Sequence, residues 1–113
     1  MSRVLVKSRR FETDIALTFG WYVTEAGETI AWRFFESVDR TLVRLVQFPS
    51  LGKRRRFRHA ELQGLCSFRA DPPFEDHLIF YRRTETDLSA ERLIHGRRDL
   101  ARRLREPPEG ASE

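Results

Sequence analysis

The chain has 113 residues, 40% hydrophobic and 34% charged, enough for one domain that buries roughly two thirds of the surface its unfolded form exposes. Its single cysteine, Cys66, excludes an internal disulfide and a cysteine cluster for a metal, and no apolar run approaches the roughly 18 residues of a membrane span or the core of a signal peptide, so a soluble, cytoplasmic protein is expected. The net charge is +4, and of 21 basic residues only Lys7 and Lys53 are lysine; the planar arginine fork suits carboxylate and phosphate, which points to an acidic protein or nucleic acid as partner.

Val4–Val6, flanked by Arg3 and Lys7, reads as a first strand, and Ser8 can cap the helix that follows. From Arg9 to Thr24, Ile15, Phe19, Tyr22 and Val23 recur at helical spacing, with Glu12, Asp14 and Thr18 expected on the solvent side. Gly20 lies inside this helix and implies either a small loss of stability or a closely packed neighbour. Gly27 suits a helix end. A second helix, Thr29 to Gln47, carries Ile30, Phe34, Val38, Leu42 and Leu45 on one stripe, so the two form an antiparallel helical hairpin that needs a sheet to cover it. Trp32 and Phe35 fall beside that stripe, at the edge of the core or on a partner surface. Phe48-Pro49-Ser50-Leu51-Gly52 ends the second helix.

Lys53-Arg54-Arg55-Arg56-Phe57-Arg58-His59 is the densest charge in the chain, a loop able to neutralise several phosphates or else a solvated surface. Leu62 to Ala70 alternates as a strand that buries Cys66. After a turn at Asp71–Glu75 comes a hairpin, Asp76–Arg83 and Arg92–Leu100, with Thr84–Glu91 as a polar spacer. Both of its faces are apolar, which marks it as central; one face is expected against the helices and the other as the working surface. The resulting fold class is α+β, an antiparallel meander packed on a helical hairpin, as a single domain of residues 1–105 with a polar, disordered tail at 106–113.

His59, His77 and His95 make no metal-ligand spacing, and no metal or cofactor is expected. Metal-free RNA cleavage would need a group to activate the 2′-hydroxyl, another to protonate the leaving oxygen, and arginines for the phosphorane. Arg54, Arg56, Arg69, Arg82 and His95 are residues of those types.

Taken together, Asp14-Ile15 ahead of Tyr22-Val23, Ala31-x-x-Phe34, Leu45-x-x-Phe48-Pro49-x-Leu51-Gly52, Leu78-Ile79-Phe80-Tyr81-Arg82 and Ile94-His95-Gly96-Arg97-Arg98-Asp99 resemble the ParE/RelE superfamily of bacterial toxins. The resemblance runs from Val4 to about Leu104. It implies a β-α-α-β-β-β order and a toxin of a type II toxin-antitoxin module, held in a hetero-oligomer by a small, acidic, partly disordered antitoxin. The His-Gly-Arg ending and the Phe-Pro-x-Leu-Gly exit are closer to the ParE branch, which implies inhibition of DNA gyrase without a nuclease centre. The long basic loop departs from that branch and keeps open a RelE-like enzyme that cuts mRNA on the ribosome; a non-toxic antitoxin-binding relic is the third reading. Trp32, Phe35, Arg97 and Arg98 are the candidate antitoxin contacts. Lys53, Arg54, Arg55, Arg56, Arg58, Arg69 and Arg82 are the candidates for target or phosphate binding.

Overall fold

In a computed structural model, which describes residues 3–108, the chain runs β1 (Val4–Lys7), α1 (Arg9–Ala26), α2 (Glu28–Gln47), β2 (Lys53–Arg54), β3 (Cys66–Arg69), β4 (His77–Arg83), β5 (Asp87–His95) and α3 (Leu100–Arg105). The expected order is present, with two additions: a two-residue strand inside the basic segment and a short C-terminal helix. The sheet order is β1-β5-β4-β3-β2. β1 joins at the edge, parallel to β5, while the other neighbours are antiparallel. Each successive element reverses the chain, so the unexpected β2 adds one reversal and turns β5 parallel to β1. The result is a mixed sheet where an antiparallel one was expected.

Ser8 joins strand to helix as its composition suggests. Its hydroxyl accepts from Phe11 N–H at 3.0 Å and donates to the Glu91 carbonyl at 2.8 Å, which caps α1 and ties it to β5. A single residue, Gly27 at φ 92°, separates α1 from α2, and its N–H caps the carbonyls of Tyr22 and Val23. The stripe Phe34, Val38, Leu42 and Leu45 then packs with Phe11 against Ile79, Tyr81, Leu88 and Ala90. Gly20 is exposed with open space around it, so no neighbour packs there. The turn after β3 is docked on α2: Arg44 holds both oxygens of Asp71 at 2.8 Å, and Ser37 donates to the Asp71 carbonyl at 2.9 Å.

The outer face of the hairpin is not the open working surface that was expected. Leu78, Phe80 and Ile94 are buried there beneath Leu62, Leu65 and Leu104, with Phe57 and Leu100 alongside. Strands apolar on both faces need cover on both, and the segment after the basic run and α3 supply it. The polar spacer also contracts. Asp87–Ala90 already belong to β5, with Leu88 and Ala90 buried, so the turn is Thr84–Thr86. The expected tail falls largely outside the described residues, which end with Pro108.

The Phe-Pro-x-Leu-Gly exit has a physical explanation. Tyr81, fully buried, donates its hydroxyl to the Pro49 carbonyl at 2.6 Å and accepts from Gly52 N–H at 3.1 Å. Burial pushes this phenol up to about 12. A Cβ at position 52 would collide with the Tyr81 hydroxyl and ring, so only glycine lets the chain pass this close.

Candidate functional site

Three surfaces carry chemistry, two of them flanking α1. On the side shared with α2 lies an apolar groove of about 440 Å³, floored by Phe11, Val38 and Leu42 and walled by Ile15, Phe19, Trp32 and Phe35. Phe19 and Trp32 meet edge to face at 4.8 Å, and Trp32 and Phe35 at 5.7 Å. Trp32 remains 51% exposed. The core-edge reading of Trp32 and Phe35 therefore gives way to an exposed aromatic wall. The cause is local: the inward stripe of α2 is full at Ala31, Phe34 and Val38, and the next positions round the helix open toward α1. Lys7, Glu12 and Asp39 supply charge at the rim.

On the other side of α1 a cleft of about 850 Å³ is lined by Leu17, Thr18, Trp21, His77, His95, Arg102 and Arg103. Asp14, expected in solvent, is buried at its base. It accepts from Arg92 Nε at 2.7 Å, Arg92 Nη2 at 3.2 Å and Leu93 N–H at 2.9 Å. Burial raises the Asp14 carboxyl, opposed by its hydrogen bonds from Arg92 and Leu93. Arg92 Nη1 in turn donates to the carbonyls of Arg103, Leu104 and Glu106, the otherwise unpartnered end of α3. One guanidinium thus ties α1, β5 and α3 together.

His77 sits beside this pair at 4% exposure. Its Nε2 bonds the Tyr22 hydroxyl at 2.9 Å, its Nδ1 is buried without a partner, and its ring stands 4.8 Å from that of His95, its cross-strand neighbour. Burial, and then the proximity of His95, lower His77 to about 4 against a weaker pull from Asp76. Burial also raises Tyr22.

The third surface is the β2 edge of the sheet. Lys53, Arg54, Arg56 and Arg58 are exposed, as is Arg69 on β3, and among the described residues none of the five has a carboxylate in ion-pair range. Two other members of the predicted set are engaged within the fold. Arg55 donates to Ser67 Oγ at 2.8 Å and lies over the Phe80 ring, while Arg82 binds the carbonyls of Glu61 and Gln63 and pairs with Glu91 at 3.4 Å. Arg97 and Arg98 are exposed in the turn between β5 and α3, away from the aromatic groove.

The strand register places four of the five residues suggested for RNA cleavage. Arg69 is paired with Leu78, next to the His77–His95 rung, whereas Arg54 pairs with Cys66 beside Tyr81 and Arg82. Leu78 and Arg82 are four residues apart on one strand, about 13 Å at the usual rise. No group of three or more His, Cys, Asp or Glu side chains able to hold a metal comes together among the described residues, and no described helix is long and apolar enough to cross a membrane.

The profile of a family described as ParE toxin of type II toxin-antitoxin system, parDE, matches residues 5–100. No curated protein matches the chain by sequence. Among solved structures, a chain of the chromosomal ParDE TA system from P. aeruginosa superposes with a TM-score of 0.69 at 14% identity, covering 85% of this chain and 98% of that one. At that identity the likeness is one of fold.

Proposed function

The chain belongs to the ParE toxin family of type II toxin-antitoxin systems, and from that premise we propose that it is silenced by an acidic antitoxin seated in the α1–α2 groove and, when free, inhibits DNA gyrase. The observation that carries the antitoxin half is the groove itself. Phe19, Trp32 and Phe35 form an exposed aromatic wall over an apolar floor, the kind of surface that takes the apolar face of an amphipathic helix. The fold neighbour comes from a ParDE toxin-antitoxin system, which supports a partner of that class. Arg97 and Arg98 remain candidate contacts for carboxylates beyond the groove.

The target half rests on the branch resemblance and on the dispersal of the nuclease candidates. Arg82 is engaged by the carbonyls of Glu61 and Gln63 and by Glu91, and the rungs of Arg69 and Arg54 are three residues apart along β4, about 10 Å, which favours a reading without one shared reacting phosphate. A supercoiling assay run beside cell-free translation tests this: loss of supercoiling with translation intact is the expected result. Intact supercoiling at high excess, with translation blocked, would replace gyrase by the ribosome.

A further inference from the structure

We propose that the β2 edge is a docking surface for the phosphate backbone of duplex DNA. Part of the arginine set is neutralised within the fold, as Arg92 by Asp14, Arg44 by Asp71 and Arg105 by Glu61. Other cations such as Arg33, Arg97 and Arg98 are, among the described residues, as free of carboxylates as those of the β2 edge, which differ in being gathered along one short segment. Lys53, Arg54, Arg56, Arg58 and Arg69 stand exposed with no carboxylate beside them among the described residues. Such a cluster repels itself in the free protein and gains most from a polyanion.

The chemistry of the edge favours DNA over an acidic protein. A protein interface needs an apolar centre that expels water. Between Lys53 and His59 the only apolar side chain is Phe57, and it packs down against the second core. Within that run no Phe, Tyr or Trp is exposed, which leaves His59 as its only exposed ring and makes backbone contact, without sequence preference, its main mode.

Geometry agrees. β2 is the outermost strand, with Lys53 in register with Ser67 and Arg54 with Cys66, hence on opposite faces. Lysine and arginine side chains are long enough to reach a ligand at the open edge from either face. Over Lys53–Arg54 the extended chain advances about 3.3 Å per residue, close to the 3.4 Å rise between successive phosphates on one strand of B-DNA. The inference does not depend on gyrase being the target, since it concerns naked DNA.

Fluorescence anisotropy of the full chain with a labelled 20-base-pair duplex, between 50 and 200 mM salt, tests it. Five backbone contacts give a slope of log K against log salt of about −4.5, and Arg54→Gln with Arg56→Gln should bring it to about −2.7. Removing one charge on α2, Arg33→Gln, should leave the slope unchanged. Duplex RNA, with its A-form backbone, should bind at least about threefold more weakly. A wild-type slope shallower than about −2, or the same loss per charge at Arg33 as at Arg54 and Arg56, would overturn the docking edge and leave only net charge. RNA bound as tightly as DNA would overturn the assignment to DNA. Supercoiling is measured separately, so failure of either reading shows without the other.

Discussion

Lowering the pH from 7.5 to 5 should destabilise this protein chiefly through one side chain. His77 is buried with its Nε2 on Tyr22 and its Nδ1 against no partner, so a proton there must be accommodated without solvent. Its folded value of about 4 lies below the ordinary 6.5. Between those values the unfolded chain binds the proton and the folded chain does not, so stability is intact above pH 6.5 and falls as the pH drops toward 4. The full loss is about 3 kcal/mol at 1.36 kcal/mol per unit, and roughly 2 kcal/mol of it is spent by pH 5. Urea unfolding at pH 7.5, 6.5, 5.5 and 5 would trace the decline. His77→Gln keeps a polar partner for Tyr22 but cannot titrate, and its curve should stay flatter than wild type by about 2 kcal/mol at pH 5. Parallel curves would refute the reasoning and show that His77 is solvated or finds a partner when charged.

Three further outcomes follow from the geometry. Asp14→Ala strands the Arg92 guanidinium in the interior and should cost 3–5 kcal/mol in urea unfolding; earlier hydrogen exchange in α3 would report loss of the carbonyl clamp. Gly52→Ala pushes a Cβ into Tyr81 and should cost about 2–4 kcal/mol. Tyr81→Phe should cost about 1–3 kcal/mol, with the double substitution less than additive because the displaced hydroxyl is already gone. Trp32→Ala and Phe35→Ala should each weaken antitoxin binding about tenfold or more by calorimetry, a larger effect than their cost to the free toxin's stability, since Trp32 is 51% and Phe35 37% exposed.

The helical half of the fold was legible because it rests on periodicity. The stripe from Ile30 to Leu45, the cap at Ser8 and the end at Gly27 are local signals, and they survive folding unchanged. What was lost lies in long-range pairing. Asp14 is polar and falls opposite Ile15's neighbours on the helix, and nothing local announces that Arg92, 78 residues on, will neutralise it. The His77–His95 rung was hidden twice. The turn at Thr84–Thr86 is shorter than the polar composition suggests, and a bulge between Phe80 and Tyr81 then slips the register by one; without it His77 would face Ile94. Of the basic set, sequence found the residues but not their division into free and engaged, because that depends on Ser67 and on the carbonyls of Glu61 and Gln63 arriving from elsewhere.

The placement of the surfaces constrains how one antitoxin can silence this toxin. The groove opens beside Lys7 of β1, at one edge of the sheet, and the unpaired cations line β2 at the other. Four strand spacings of about 4.8 Å separate those edges, roughly 19 Å. A helix seated in the groove therefore leaves Lys53, Arg54, Arg56 and Arg58 uncovered. For a single antitoxin to mask them as well, its chain must continue for at least about six extended residues past the groove, and carboxylates at its far end would meet the forks left without partners. An antitoxin lacking that extension would have to act by holding the helical face alone, and its complex would then keep the charge of the free edge.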